Sequence, residues 1–394
     1  MDEEIHAIVK NDTWELTSLP KNHQVIGVKW VYKAKKNANG EVERYKARLV
    51  AKGYKQKHGV DYYVKKEDGY FLFVCIYVDD LIFTGNSSRM FDDFKKAMAR
   101  EFEMSDMGLM SYYLGIQVRQ TEENIFVSQE GYAKEVLKKF NMLNCKPVNT
   151  PMQFGTKLSR MKQDGEEEVD PTTFKSLVGS LRYLTCTRPD ILFAVGIVSR
   201  FMENPTESHM MTAKRILRYI KGTVNYGIAY SSSNDFKLKG YCDSDFAGDI
   251  DDRKSTTGFV FFLGKNAISW SSKKQPIVTL SSCESEYVAA TSCTCHAIWL
   301  RRLLKELHLE EEEATKIFID NKSAMDLAKN PVFHERSKHI DTRYHFIREC
   351  IAKKEVELKH VKTMDKVADI FTKPLKFDSF EKLRFMLGVR KVQV

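Results

Sequence analysis

Four carboxylates between about residues 236 and 373 constrain this chain more than any other feature, because each lies at a strand edge or on a helix. Residues 238–243 (LKGYCD) alternate as a strand does and deliver Asp243 near its end. Residues 256–263 (TTGFVFFL) have the β-branched and aromatic composition of a buried strand. Residues 267–270 and 277–280 flank a Lys-Lys-Gln-Pro turn and read as two more strand-like pieces. Ser281-Ser282 then caps a long helical pattern with Glu286 in its first turn. Residues 316–320 (KIFID) are a compact strand ending in Asp320, and 321–323 start a helix. Residues 356–361 form a last strand, and Asp369 lies on the helix after it.

Carboxylates spaced this way suit metal-assisted phosphodiester hydrolysis. Mg²⁺ takes oxygen ligands, keeps several waters and is held by a few carboxylates plus substrate phosphate. Two such ions roughly 4 Å apart activate the attacking water and stabilise the leaving oxygen. Taken singly, each acid is equally well a turn residue or a helix-dipole partner. All four in the order strand, helix, strand, helix are much harder to dismiss.

The segments GYCDSDFAG (240–248), SSCESEYVAA (281–290), IDNKSA (319–324), KHIDTRYHFIRE (338–349) and VADIFTKPL (367–375) resemble the ribonuclease H domain of copia-type LTR retrotransposon polyproteins. The resemblance implies a mixed five-stranded sheet with flanking helices over 232–375. It also implies metal-binding, catalytic carboxylates at Asp243, Glu286, Asp320 and Asp369. Asp245 and Glu284 are near-register competitors for the first two; Glu286 is preferred because the run Tyr-Val-Ala-Ala follows it directly.

Nothing in the composition opposes a nucleic-acid partner. The 394 residues suffice for two or three domains, and 43% hydrophobic with 29% charged residues describes a globular chain. A net charge of +9 suits a nucleic-acid ligand, although many proteins are mildly basic. No stretch approaches eighteen uncharged apolar residues, so no membrane span is expected, and Met-Asp-Glu-Glu-Ile is no secretory signal. The eight cysteines are scattered without a C-x-x-C pair, and Cys293 and Cys295 face different ways on one helix, which argues against zinc. Reduced thiols and an intracellular location, cytoplasmic (particle-associated) or nuclear, follow as expectations.

Upstream, 25–32 and 42–50 bracket the polar loop KNANG and read as a basic β-hairpin. Basic edges are also ordinary protection against edge pairing. The pattern W-V-Y-K…G…Y-K-A-R-L-V-A-K-G-Y-x-Q resembles the fingers of copia-type reverse transcriptases, which implies that Lys46 or Arg48 faces nucleotide or template phosphates. Residues 70–85 place apolar runs on both sides of Asp79 and Asp80, a hairpin with two acids at its tip. Tyr-Val-Asp-Asp (77–80) resembles the reverse-transcriptase polymerase motif, in which the aspartates hold Mg²⁺. The family's third carboxylate sits on an earlier palm strand leading into a helix, and no acid before Tyr77 has that setting. An internal deletion at about Tyr62/Tyr63, with loss of polymerase activity, is therefore expected.

Further on, 107–118 resemble the family's primer-contacting strand pair, 125–128 read as a strand, 129–140 as a helix and 144–170 as a linker. Asp170-Pro171 starts a helix with Phe174, Leu177, Val178 and Leu181 on one face. Helices to about 202 and over 206–221 complete a block resembling the thumb and connection, where Lys214, Arg215, Arg218 and Lys221 offer a basic stripe for a nucleic-acid backbone. A solvated helix face explains any one of them equally well. His334, His339 and His345 do not share a helical face and suit Mg²⁺ poorly, so they read as structural or substrate-side. His360, just upstream of Asp369, could assist product departure near neutral pH.

The expected fold is thus mixed α/β and multidomain. Its segments are a fingers remnant (1–62), a truncated palm (63–143), linker plus helical thumb and connection (144–231), a ribonuclease H-like domain (232–375) and a tail with a short helix and basic end (376–394). The expected function is Mg²⁺-dependent hydrolysis of the RNA strand of an RNA–DNA hybrid, with Mn²⁺ as a substitute metal and RNA and DNA backbones as partners. A non-catalytic nucleic-acid-binding remnant is the alternative.

Overall fold

The computed structural model describes residues 28–36, 42–51, 62–77, 80–102, 104–162, 164–233, 235–329, 342–362 and 365–392, with backbone alone for 28–36, 42–51 and 342–343. The chain divides into two compact units, 1–110 and 111–394.

In the first unit, β1 (Val28–Lys36) and β2 (Val42–Ala51) form an antiparallel hairpin with Lys33 opposite Lys46 and Val31 opposite Arg48. β3 (Tyr62–Glu67), β4 (Tyr70–Tyr77) and β5 (Asp80–Gly85) form an antiparallel meander. The β3–β4 turn is Asp68-Gly69, both at positive φ, the conformation that a two-residue hairpin turn requires. On β4, Leu72 and Val74 alternate inward and pack with Met90 of α1 (Ser88–Glu101). Ser87 caps that helix by accepting the Met90 N–H. Among the described residues only these three side chains are buried in this cluster, ringed by half-buried Ile76, Leu81, Phe83, Phe91 and Phe94.

The second unit holds two five-stranded sheets. One is wholly antiparallel in the order β15-β9-β8-β7-β6, with β6 (Tyr112–Tyr113), β7 (Ile116–Gln120), β8 (Asn124–Ser128), β9 (Tyr226–Ser231) and β15 (Val389–Lys391). β15 was not legible as a strand, since three residues carry no alternation; it exists because β9 offers an edge to pair with. Helix α2 (Glu130–Lys139) follows β8, and α3 (Pro171–Leu184) begins at Asp170, whose carboxylate accepts the Thr172 and Thr173 N–H groups. Phe174, Leu177, Val178 and Leu181 of α3 are all buried, as their spacing predicts. Arg188 forks onto Asp190 at 2.9 and 2.8 Å, and Tyr219 of α5 (Glu207–Gly222) donates to the same carboxylate. Arg384 of α8 (Phe377–Met386) donates in turn to Tyr219 Oη, which fastens this C-terminal helix to the block.

The other sheet is mixed, in the order β12-β11-β10-β13-β14: β10 (Leu238–Ser244), β11 (Thr256–Leu263), β12 (Asn266–Lys274), β13 (Thr315–Ile319) and β14 (Val356–His360). β10, β11 and β12 are antiparallel neighbours, whereas β10, β13 and β14 are parallel. β11 is buried on both faces and its alternation divides between two cores. Val260 and Phe262 join the core of the helical block, including α4 (Leu192–Val198), while Phe259 and Phe261 join that of the 25-residue α6 (Ser282–Glu306). The helical block is thus a covering layer for this sheet, with Trp270 Nε1 donating to Thr185 O at 3.1 Å.

One expected strand does not form: 277–280 is irregular, with Val278 and Leu280 exposed. Gln275 Nε2 donates to Ser244 Oγ, Thr257 Oγ1 and Ser285 O and so pins the chain where it turns from β12 into α6. No described helix is long and apolar enough to cross a membrane. The eight cysteines form no disulfide.

The small buried cluster of the first unit has a measurable consequence. Amides of β4 should exchange at lower denaturant than those of β10 and β13. Hydrogen-exchange mass spectrometry across a denaturant series checks this; equal protection of both sheets would contradict it.

Candidate metal centre

The mixed sheet gathers the acids at one end. Asp243 lies near the C-terminal end of β10, opposite Gly258 of β11, and is 2% exposed. Asp320 directly follows β13, the parallel neighbour of β10, so both carboxylates leave the sheet at the same edge. Asn321 then accepts the Ala324 N–H at 3.0 Å and starts α7 (Lys322–Lys329). Glu286 sits on the first turns of α6 and is buried. Oxygens of Asp243, Glu286 and Asp320 lie within 4.8 Å of one another.

Helix phase decides between the neighbouring glutamates. Glu284 turns back on the helix start, where its carboxylate accepts the Leu280 N–H at 2.8 Å while Ser281 Oγ accepts the Glu284 N–H. Glu286, two residues further round, faces the sheet. Asp245 accepts the Thr256 N–H and is thereby tied to the start of β11, outside the three-acid group.

Asp369 arrives on a short 3-10 helix, Val367–Phe371. That helix settles on β11 over Gly258: a Cβ there would stand 2.6 Å from Phe371 Cβ and 2.7 Å from Thr372 Cγ2. Ser272 Oγ donates to Phe371 O at 2.6 Å, and Thr372 Oγ1 donates to Asp243, so the segment is sewn to the sheet. Lys373 Nζ lies 2.9 Å from Asp369 Oδ2 and 3.8 Å from Asp243 Oδ2, which places Asp369 beside Asp243, outside the group of three acids whose oxygens cluster.

The sequence reading missed Lys366. Its side chain is fully buried, and its Nζ contacts Asp243 Oδ1 at 2.5 Å, Glu286 Oε1 at 3.1 Å and Asp320 Oδ1. Nothing in Lys-Val-Ala-Asp marks that lysine, because burial of a charged residue is decided by partners far away in sequence.

The electrostatics follow from this crowding. Burial opposes ionisation of Asp243, but Lys366 and Lys373 hold its carboxyl below the usual range. Burial and then the charge of Asp243 push Glu286 up to about 8. The same two causes push Asp369 up to about 6. Lys366 is raised, since Asp243 and Glu286 outweigh its own burial. Glu286 Oε2 and Asp369 Oδ1 are buried without a hydrogen-bond partner. Buried oxygens facing a shared acidic site are what a hard cation would satisfy, so the residues fit Mg²⁺.

The other sequence-predicted residues lie elsewhere. In the first unit, Asp80 is exposed at the start of β5, opposite Tyr77. Asp79, His334 and His339 lie outside the described residues, as do the side chains of Lys46 and Arg48. Lys214 is exposed on α5, whereas Arg218 Nε donates to Lys146 O and Arg215 to Thr150 Oγ1, so these two arginines hold the preceding loop. His345 Nδ1 pairs with Tyr287 Oη at 2.8 Å. His360 is exposed at the end of β14, opposite Ile319.

The strand order, with antiparallel strands on one side and parallel strands on the other of β10, and the acids at its end define a ribonuclease H-like fold. A family model described as reverse transcriptase (RNA-dependent DNA polymerase) matches residues 11–66 and 62–154. The chain is 33% identical, over 99% of its own length and 37% of the relative's, to the retrovirus-related Pol polyprotein from transposon TNT 1-94 of Nicotiana tabacum. It is also 33% identical, over its whole length and 34% of the relative's, to that from transposon RE1 of Arabidopsis thaliana. The chain belongs to the copia-type retrotransposon Pol family, and spans about a third of the length of these curated relatives. Among solved structures, the N-terminal RNase H domain of rv2228c from Mycobacterium tuberculosis, as a fusion with maltose binding protein, matches at 12% identity with a TM-score of 0.24, over 38% of this chain and 98% of that one. The fold assignment rests on strand order instead. The two pieces of the reverse-transcriptase match overlap at 62–66, and the TNT 1-94 alignment runs over 500 positions against 394 residues, so that relative carries residues with no counterpart here.

Two measurements test this geometry. Gly258→Val should push the 367–371 segment off β11 and cost about 1–3 kcal/mol in urea unfolding, as overpacking does; unchanged stability would refute the close approach. With chelator present, Glu286 keeps in the folded state a proton that the unfolded chain has lost, so stability should fall as pH rises from 4.5 to about 8. Glu286→Gln should flatten that part of a Tm-against-pH curve, and parallel curves would contradict the assignment.

Proposed function

We propose that this chain is a metal-dependent ribonuclease acting on the RNA strand of RNA–DNA hybrids, joined to a polymerase region that no longer synthesises DNA. One observation carries the nuclease reading: Asp243, Glu286 and Asp320 converge at one end of a mixed sheet, with Asp369 linked to Asp243 through Lys373, and two buried carboxylate oxygens lack partners. These four acids would hold Mg²⁺, or Mn²⁺ in its place. Bound there, the metal would polarise the scissile phosphate and lower the pKa of an attacking water.

The chain's own groups prepare that chemistry. Thr372 donates to Asp243 and fixes the orientation of its carboxylate. Lys373, 41% exposed, places a positive charge on the solvent side of Asp243 and Asp369, where a backbone phosphate can meet it. A net charge of +9 and exposed Lys214 favour association with a polyanion. Choice of a hybrid over other nucleic acids follows the family relationship; the acids themselves support phosphodiester hydrolysis.

For the polymerase region, β3 ends at Glu67 in a hairpin turn and leads into β4, not into a helix. Without the family's third carboxylate, Asp79 and Asp80 would leave a metal site incomplete. Template-primed nucleotide incorporation by the purified chain should stay at the level of an Asp79→Ala/Asp80→Ala control.

The deciding experiment is cleavage of an end-labelled RNA–DNA hybrid in Mg²⁺. The chain should cut it, and Asp320→Asn should lower the rate by roughly 100-fold or more. Hybrid binding without cleavage by the unaltered, folded chain would replace the nuclease reading with that of a non-catalytic binding remnant.

A further inference from the structure

Lys366 has no part in that reading, yet it occupies the middle of the site. Its ammonium contacts one oxygen each of Asp243, Glu286 and Asp320, the same three residues whose oxygens cluster within 4.8 Å. An ammonium has three N–H donors and no acceptor, so three carboxylate contacts use its bonding capacity completely. Lysine is almost never fully buried unless paired, and this one is 0% exposed. The point at which a divalent cation would collect these oxygens is therefore held by a monocation attached to the same chain.

We propose that Lys366 is a built-in competitor for the metal. In the metal-free chain it neutralises the acids and keeps the site closed; metal can bind only when the ammonium withdraws. This rests on the metal-centre reading given above. The cost takes a simple form: the apparent affinity for metal is the intrinsic affinity multiplied by the fraction of molecules in which Lys366 has left. Because the competitor is tethered, dilution does not remove it. Metal demand is then set by a residue that need not coordinate metal, and substitution at 366 alters that demand with all four acids intact. A lysine that merely balanced charge elsewhere in the core would leave the metal requirement unchanged.

The test is a Mn²⁺ titration of the full chain, followed by the electron paramagnetic resonance signal of unbound Mn²⁺. Lys366→Gln should lower the half-saturating concentration by roughly tenfold or more. Lys366→Arg, which keeps a cation, should stay near the unaltered chain, and Asp320→Asn should bind poorly. A second readout needs no variant: acylation of Lys366, quantified by mass spectrometry, should be slow in chelator and several-fold faster at saturating Mg²⁺. If Lys366→Gln and the unaltered chain saturate together, and acylation of Lys366 does not change while metal binds, the competitor is refuted and the metal centre stands. If Asp320→Asn binds metal as well as the unaltered chain, or neither binds, the metal centre itself is refuted and the proposal falls with it.

Discussion

Mutual repulsion among carboxylates in a water-poor setting governs how this domain is built. Asp243, Glu286, Asp320 and Asp369 come from a strand end, a helix, a second strand end and a 3-10 helix, and each would rather face water. Holding them together requires cations within the protein, and two lysines supply them. Lys366 spans three of the acids and Lys373 reaches two. The attraction is only as good as the geometry, since buried ion pairs repay their desolvation cost only when the contacts are close and well satisfied. Even so the compensation is incomplete: Glu286 and Asp369 keep raised pKa values and one unpartnered oxygen each.

Such a cluster needs a rigid frame, and the frame is apolar on both sides. β11 contributes Phe259 and Phe261 to one core, and Val260 and Phe262 to the other, so the strand beside Asp243 is packed on both faces. The helical block covers one face, and α6 covers the other with Tyr287, Ala290, Cys293 and Ala297 next to the turn that carries Glu286. Gly258 is the one place on β11 where a missing side chain is put to use, as it lets the 367–371 segment approach until Asp369 stands beside Asp243. Among the described side chains of the first unit the situation is the opposite, a meander and one helix around three buried ones.

Much of this was legible beforehand, for reasons that differ between elements. Helices with Phe174, Leu177, Val178 and Leu181 at regular spacing could be read because helical period and burial coincide. The strands ending in Asp243 and Asp320 were legible because composition and length agreed. The strand expected at 277–280 failed because an apolar composition in four residues carries no register. β15 and the Lys366 contacts were invisible for a related reason, since each depends on a partner more than forty positions away. On α5, Lys214 is exposed while Arg215 and Arg218 donate to the loop before α3, a difference that helical spacing does not reveal.

Sequence alone determined most of the local elements and the family, because periodicity, composition and motif are properties of neighbouring residues. Tertiary structure alone decided which acids meet, that Glu286 faces the sheet while Glu284 caps its helix, and that Lys366 stands among three carboxylates. Those outcomes depend on long-range packing and on the electrostatics of a buried site, and neither is written in any short stretch of chain.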